Sequence, residues 1–380
     1  MLHILQFRRV VRSVKRVANT RYPKFIFGLQ LNQGELPVFI YHEVDRESFA
    51  ADLMFLRDND YQTLSTSEFV EYGYSYSNRR AVLLTFDDAR RNFWDVTFPL
   101  LREFNARATV FAPTYWIGGG KHRSQEETVP QTTELFMTWE QLRACANSGL
   151  VDVQSHAHRH ALVYTSTRLV GFASPQSLAR YHFYDWPMRR TGHGDVLGRP
   201  VLGTPIYEAI PLLSARSRVI EDDTAVRECL KVVAEKGGER FFTQKNWDGQ
   251  LQRVHHNCLA RSGQFKLMSE NDFRVLVASE FLLSRQLFEE EMGWPPQYLA
   301  FPWMLGSMAS IKLAADNGIK ALFGVGLDFR RAQEVGGVVP AFGRFKGDWL
   351  RFLPGRGRFR ITQVLPGKMK SFLRDQHLAH

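Results

Sequence analysis

The chain has 380 residues, of which 44% are hydrophobic and 23% are charged. It is therefore long enough for one large domain or two average ones, and its composition excludes an intrinsically disordered protein. No apolar run approaches the ~20 residues of a membrane-spanning helix. The three cysteines, Cys145, Cys229 and Cys258, are few and widely spaced, which excludes a disulfide framework and a zinc knuckle.

The formal net charge is +10, and no acidic residue occurs in residues 1–34. Apolar residues recur there at helical spacing, with basic residues mostly on the other side: Ile4, Phe7, Val11, Val14 and Ala18 against Arg8, Arg9, Arg12, Lys15, Arg16, Arg21 and Lys24. This pattern predicts a basic amphipathic amino-terminal arm suited to an anionic membrane surface. The alternative is a helix that packs on the main domain and keeps its basic face in water.

The first residues lack the continuous apolar block of a signal peptide, so we expect a cytoplasmic protein, associated with the inner face of the membrane through the arm. No nucleic-acid-binding motif and no basic–aromatic interleaving accompanies the charge, so we expect no nucleic-acid partner.

From residue 35 onward, short apolar strands alternate with amphipathic helices, which is typical of a parallel sheet or barrel. The predicted strands are 37–42, 81–86, 108–113, 150–156, 297–302 and 320–326. The predicted helices are 48–60, 93–104, a helix that begins after a Thr138–Gln141 capping box and stops before Gly149, 270–292 and 307–317.

Residues 161–265 interrupt this alternation. They are rich in glycine and proline and show few clear periodic elements before about residue 222, so we interpret them as a long insertion on one rim. The aromatic stretch HFYDWPM, residues 182–188, has either a binding role or a packing role. The predicted organisation is an arm (1–34), a main domain (35–350) containing the insertion, and a basic tail (351–380).

Two polar clusters stand where predicted strands end. Asp87 and Asp88 follow the apolar run 81–86, and neighbouring buried carboxylates are unfavourable unless a positive charge compensates them. His156, His158 and His160 follow the strand 150–156, and one helical turn would place His156 and His160 on the same face.

Two imidazoles and a carboxylate are the ligand set of an open, catalytic metal site. Barrel enzymes place such sites at the carboxyl ends of their strands. A cation bound by Asp88 would also keep Asp87 ionised nearby.

These two clusters resemble known motifs. TFDDA (85–89) and HAHRH (156–160) are similar to the T-F-D-D-G and H-[S/T]-x-x-H motifs of the polysaccharide deacetylase (NodB-homology) superfamily, carbohydrate esterase family 4. AFPWMLGS (300–307) loosely matches its third motif, R-x-P-Y-G, and VFIYHEV (38–44) looks like its opening strand. The resemblance covers roughly residues 36–345. It implies a distorted (β/α)₇ TIM-like barrel, with the long insertion between the second and third motifs.

The resemblance also implies residue roles. Asp88, His156 and His160 would bind a divalent metal, most often Zn²⁺; Asp87 would be the catalytic base, and the backbone N–H of Trp303 would contribute to an oxyanion hole. The implied reaction is hydrolysis of the amide of an N-acetylated amino sugar. With no export signal, we expect the substrate to be a cytoplasmic or lipid-linked precursor of lipopolysaccharide or exopolysaccharide.

The sequence departs from the family pattern at the third motif. Ala300 or Phe301 stands where the family has the arginine that orients the base, and Arg90, Arg344 and Arg330 are the candidate replacements.

Three further positions depart from the pattern. The Leu-x-His motif that supplies the usual acid is absent, which leaves His42 as the candidate acid. Ala89 replaces a glycine and Ala157 a serine or threonine.

Three alternatives to deacetylation stay open. The same ligands suit a non-haem iron oxygenase, although that class has an all-β architecture. An N-deformylase would use the same residues on a formyl group. A carbohydrate-binding homologue with impaired catalysis would explain the missing arginine and histidine.

Overall fold

The computed structural model describes residues 24–27, 31, 36–72, 80–118, 134–191, 194–262, 265–324, 333–335 and 339–360. The predicted amphipathic helix of the arm, the candidate Arg330 and most of the basic tail lie outside these residues. Within the described ranges, no helix combines the length and the apolar character needed to cross a membrane.

The strands, in chain order, are β1 Val38–Tyr41, β2 Gln62–Thr63, β3 Ala81–Asp87, β4 Ala108–Ala112, β5 Val151–Ser155, β6 Leu162–Phe172, β7 Arg189–Thr191, β8 Gly194–Val196, β9 Pro205–Pro211, β10 Val219–Ile220, β11 Lys266–Leu267, β12 Tyr298–Ala300, β13 Ala321–Phe323, β14 Gln333–Val335, β15 Val339–Phe342 and β16 Phe345–Lys346. The α-helices are α1 Arg46–Asp58, α2 Thr66–Tyr72, α3 Phe98–Phe104, α4 Trp139–Asn147, α5 Pro175–Arg180, α6 Asp223–Glu235, α7 Trp247–Ser262, α8 Glu270–Met292 and α9 Met308–Asp316.

Ten strands of the described chain form one sheet, in the order β14-β15-β13-β12-β5-β4-β3-β1-β16 with β2 beside β3. All neighbours pair in parallel except β14 and β15. The sheet is curled like half of a barrel. Seven of its parallel strands (β1, β3, β4, β5, β12, β13 and β15) follow one another around the curve in chain order, so their carboxyl ends share one edge. This arrangement confirms the predicted fold class.

The predicted strands and helices of the barrel are confirmed, with bounds that differ by a few residues. β3 is buried at every position, which explains why its sequence is a continuous apolar run rather than an alternating one. α4 begins with the predicted capping box, in which the side chains of Thr138 and Gln141 each accept the other residue's backbone N–H. The predicted helix 93–104 is divided into a π-helical turn, Phe93–Thr97, and α3.

The chain divides into two compact units. Counting only the described residues, the barrel unit takes those within 24–159, 280–304 and 311–360, and the insertion unit takes those within 160–279 and 305–310. The barrel core includes Phe25 and Ile26, and Phe25 packs its ring edge-on against Phe345. The predicted domain boundaries stay predictions.

The insertion unit contains more regular structure than we expected. β6 and β9 form an antiparallel pair and β7 and β8 a hairpin, all before residue 222, so the expectation of few elements there is wrong. The register of β6 on β9 shifts twice between Tyr164 and Gly171. Such bulges break the two-residue alternation by which a strand is recognised in a sequence. The unit has its own apolar core around Phe172, Cys229 and Phe241.

Candidate active site

The shared carboxyl edge of the barrel strands carries most of the predicted site residues. Asp87 is the last residue of β3, and Asp88 follows it. His156 follows β5, and His42 follows β1. Three parallel strands of one sheet thus supply side chains to the same edge, as in barrel enzymes generally.

Three predicted ligands converge. Asp88, His156 and His160 are buried, and each offers one ligand atom within 4.8 Å of the atoms offered by the other two. The expected helical turn between His156 and His160 is absent, because residues 156–160 belong to no helix. Instead, Ala157 and His160 adopt left-handed backbone angles, with φ of 63° and 50°. Asp88, with φ of 73°, is left-handed as well, and such conformations in non-glycine residues are often found at functional sites.

His156 is held so that one ring nitrogen faces the aspartates. Its Nδ1 lies 2.7 Å from the carbonyl oxygen of Ala300, which can only accept, so Nδ1 carries the proton and donates it. Burial lowers the pKa of His156 to about 4, against the opposing effect of Asp87, so the ring is neutral near pH 7. The lone pair is then on Nε2, which lies 3.6 Å from Asp88 Oδ1 and 3.7 Å from Asp87 Oδ2.

Asp87 is paired with Arg344 through two hydrogen bonds. Arg344 Nη1 and Nη2 donate to Asp87 Oδ1 and Oδ2 at 2.7 and 2.8 Å, and both side chains are almost fully buried. Burial alone would raise the pKa of Asp87, but the charge of Arg344, followed by His156, outweighs it and holds that pKa below its ordinary value. Asp87 is therefore ionised at neutral pH.

Asp88 is in the opposite electrostatic situation. Burial, and then the neighbouring charge of Asp87, raise the pKa of Asp88 to about 8. A nearby cation would reverse this effect, because opposite charge favours the ionised form of a carboxyl group. The donor set and its spacing therefore fit a divalent ion: two imidazoles, at least one of them neutral, and a buried carboxylate that requires positive charge.

Of the two candidate arginines that the structure describes, Arg344 is the partner of the base. Arg90 instead donates from Nε to Glu43 at 3.0 Å and lies over the ring of Phe136. Gly324, which follows β13 with φ of +90°, lies close to both Met304 and Arg344. A Cβ atom at Gly324 would lie 2.9 Å from Met304 and 3.3 Å from Arg344 Nη2.

His42 lies at the exposed end of β1 and interacts electrostatically with Asp87. Desolvation by the surrounding protein lowers the pKa of His42. The charge of Asp87 raises that pKa, and the charges of Arg344 and Arg90 lower it further. The side chain is therefore beside the base and reachable from solvent. Its role as the acid stays a prediction.

Trp303 lies in a short 3₁₀ turn, Pro302–Met304, directly after β12. Its φ of 52° is left-handed, and the carbonyl of Ala300, three residues earlier, is the acceptor for His156. The loosely matched third motif therefore reaches the same edge of the sheet as the first two. The contribution of the Trp303 N–H to an oxyanion hole stays a prediction.

Buried contacts that we did not predict hold the histidine segment in place. His158 bonds through Nδ1 to Thr114 Oγ1 at 2.8 Å. Arg159 makes two bonds with Glu280 of α8, from its backbone N–H at 2.8 Å and from Nη1 at 2.7 Å. Glu280 follows residue 159 by 121 positions, and the sequence carried no signal of this contact.

Comparison with known proteins agrees with this geometry. Residues 75–174 match the model of the family described as polysaccharide deacetylase. A segment of 117 residues is 37% identical to the poly-β-1,6-N-acetyl-D-glucosamine N-deacetylase of Escherichia coli strain K12, covering 29% of this chain and 16% of that protein. A protein of the same description from Staphylococcus epidermidis is 29% identical over 137 residues, covering 35% of this chain and 44% of that protein.

The resemblance to polysaccharide deacetylases is confirmed. The solved structure of a de-N-acetylase from Aggregatibacter actinomycetemcomitans aligns with a TM-score of 0.50 and 16% identity, covering 82% of this chain and 94% of that one. At that identity the alignment supports the deacetylase-type barrel fold alone. The matched segments span less than half of the two curated relatives.

Proposed function

We propose that this protein is a metal-dependent N-deacetylase that hydrolyses the amide of an N-acetylated amino sugar in a polysaccharide or its precursor. The observation that carries the proposal is the ionised Asp87, clamped by Arg344, beside the convergent Asp88, His156 and His160. The family match supports a hydrolase rather than the oxygenase alternative.

Asp88, His156 and His160 would hold the ion, with Zn²⁺ the first candidate because two imidazoles and a carboxylate are typical zinc ligands. When bound, such an ion supplies Lewis-acid polarisation of the acyl oxygen and acidification of water. The Ala300 carbonyl orients His156 for this purpose, as outer hydrogen bonds of metal-ligating histidines generally do.

Asp87 acts as the general base. It removes a proton from the water whose oxygen attacks the amide carbon, and a positioned base typically contributes 10²–10⁴-fold. Arg344 keeps Asp87 ionised and fixes the plane of its carboxylate through the bidentate contact. The C–N bond then breaks, releasing acetate and an amine.

In this scheme the protonated form of His42 donates a proton to the leaving nitrogen, and the Trp303 backbone N–H donates to the acyl oxygen as negative charge develops there. His42 is supported by its place at the end of β1 beside Asp87. Trp303 is supported by its place directly after β12.

We propose the substrate at two levels of detail, first the type of sugar and then the molecule that carries it. The described relatives are named for poly-β-1,6-N-acetyl-D-glucosamine, which supports an N-acetylglucosamine-type sugar for this chain. The finer proposal is a cytoplasmic or lipid-linked precursor of lipopolysaccharide or exopolysaccharide, for which the support is the basic composition of residues 1–34.

The activity is tested with Zn²⁺-loaded full-length protein and N-acetylglucosamine oligomers, lipid-linked amino sugars and amino-sugar nucleotides. Released acetate and formate are quantified separately, and the product amine is identified by mass spectrometry. We expect acetate with at least one substrate class and none with Asp87→Asn. Formate alone would establish the deformylase alternative, and the absence of both acids would favour the binding homologue.

The membrane proposal has its own test, removal of residues 1–23, which leaves the buried Phe25 and Ile26 in the chain. We expect weaker sedimentation with anionic vesicles and unchanged turnover of a soluble oligomer. Unchanged sedimentation of the shortened protein would show that the arm does not bind membranes.

A further inference from the structure

We propose that Tyr184, in the aromatic segment 182–188 of the insertion unit, is a positioning residue for the metal ligand His160. This inference rests on the proposed function, because it assigns a role toward the ion that His160 would bind.

The observation is a stacked pair of buried rings. The centroids of the His160 and Tyr184 rings are 4.1 Å apart and their planes differ by 27°. His160 is 7% exposed and Tyr184 is 6% exposed, so water has little access to the contact. Both residues belong to the insertion unit, and the contact lies within it.

A stack of this kind leaves the metal-binding edge of the imidazole open. The ring nitrogens of histidine bind metals through lone pairs in the plane of the ring. Tyr184 covers a face of the ring, so it restricts rotation without competing for the nitrogens. The torsion that sets the direction of a histidine ring is otherwise broad, and an external contact is needed to fix it.

The backbone conformation of His160 is a further reason to expect a contact that fixes its ring. Its left-handed backbone, with φ of 50°, is an uncommon conformation that the surroundings must maintain. For His156 the orienting contact is the Ala300 carbonyl. For His160 the geometry assigns this task to the aromatic face of Tyr184.

Tyr184 is itself held firmly. It lies in a 3₁₀ turn, Phe183–Asp185, in which Asp185 Oδ2 accepts from the His182 backbone N–H at 3.0 Å. Four residues after Tyr184, the Met188 N–H donates to the carbonyl of Leu162 at 2.8 Å. Leu162 follows His160 by two residues, so backbone bonding joins the segments that carry the two rings.

The test measures the affinity of full-length metal-free protein for Zn²⁺ alone, by competition with a chromophoric chelator. Tyr184→Met removes the flat ring but keeps most of the bulk, whereas Tyr184→Phe keeps the ring. Because loss of an orienting contact to a ligand typically weakens metal binding 10–100-fold, we expect a loss in that range for Tyr184→Met and a change within about twofold for Tyr184→Phe. Thermal unfolding of each metal-free variant checks that it is folded.

The matched control is Phe172→Leu, which trims a buried aromatic in the core of the insertion unit. We expect it to lower the melting temperature and leave Zn²⁺ affinity unchanged. Wild-type affinity in Tyr184→Met, or an equal loss in Phe172→Leu, would overturn the inference. If Tyr184→Met does not fold, Tyr184→Leu takes its place and is judged by the same outcomes. A wild-type protein that binds no Zn²⁺ would instead overturn the proposed function, and the inference with it.

Discussion

The two units each contain an arginine that is completely buried against an aspartate, and the two pairs differ in their surroundings. In the barrel unit, Arg344 contacts both carboxylate oxygens of Asp87. In the insertion unit, Arg218 donates to Asp195 at 2.7 Å and to the carbonyl of Met188 at 3.2 Å. Both guanidinium groups have no exposed surface.

The difference lies in the groups that contact each aspartate. Asp195 also lies 3.3 Å from Arg190, so two cations meet one carboxylate. Asp87 is followed by a second buried carboxyl group, Asp88, and one oxygen of each lies within 3.7 Å of the Nε2 atom of His156. A buried ion pair is by itself weak support for function. Two buried carboxyl groups that face the unprotonated nitrogen of one neutral imidazole are what distinguish the pair in the barrel unit and indicate a cation site.

The sharpest test of this contrast is replacement of each aspartate. Asp87→Asn keeps the shape of the side chain and removes the base, so we expect kcat/KM to fall by about 10²–10⁴-fold while Zn²⁺ still binds. Asp195→Asn, the matched control, should reduce thermal stability and leave kcat/KM of the folded protein unchanged. An Asp87→Asn enzyme with near wild-type turnover would remove Asp87 from the mechanism.

The second test addresses the ion pair of the insertion unit, Arg218 with Asp195. Arg218→Met leaves Asp195 with Arg190 alone, and breaking a buried ion pair typically destabilises a protein by about 3–5 kcal/mol. Because Arg190 remains, we expect the lower end of that range in the free energy of unfolding, measured by denaturant titration. Turnover per folded molecule should not change. A loss of turnover without a loss of stability would contradict a purely structural role.

The third test concerns the cation. An ion that binds only the folded state at 100 times its dissociation constant stabilises it by about 2.7 kcal/mol. We expect wild-type protein to gain this amount with Zn²⁺ and Asp88→Asn to gain almost none. Without metal, Asp88→Asn should be no less stable than wild type, because it removes the repulsion that raises the pKa of Asp88. A Zn²⁺-dependent gain that persists in the variant would place the ion elsewhere.

The smallest expected effect is a shift in the pH profile. Arg344 lowers the pKa of Asp87, so Arg344→Lys, which keeps a charge but loses the bidentate contact, should raise that pKa toward its ordinary value. The base must be ionised, so the acidic limb of kcat/KM should move to higher pH. The expected loss at the optimum is about tenfold, or ~1.4 kcal/mol.

Arg90→Lys is the matched variant for this pH test, because Arg90 pairs with Glu43 rather than with Asp87. It should leave the acidic limb in place. Identical limbs in wild type and Arg344→Lys would mean that Arg344 does not control the ionisation of the base.

Much of the site could be predicted because it follows strands that the sequence shows clearly. The strand that ends at Asp87 is a buried, mostly apolar run, and the strand before His156 alternates apolar and polar residues; parallel strands bring their carboxyl ends to one edge. The choice of Arg344 could not be predicted. It lies 257 positions from Asp87, and the order β13-β15 in the curled sheet, with room at Gly324, decides that it reaches the base.

In the insertion, less of the structure could be predicted from the sequence than in the barrel. Its aromatic density at 182–188 was visible in the sequence, but the contact between Tyr184 and His160 was not. The bulged β6–β9 pair concealed the strands, and the 3₁₀ turn that presents Tyr184 leaves no periodic pattern.

The amino-acid sequence by itself determined the alternation of strands and helices and the ligand types at two strand ends, because buried strands and motif spacing are local properties of the chain. Only the tertiary structure decided which arginine clamps the base, how a non-helical segment turns His156 and His160 toward Asp88, and which ring covers His160. Those contacts join residues that are distant in the chain, and they depend on sheet order and packing rather than on local preference.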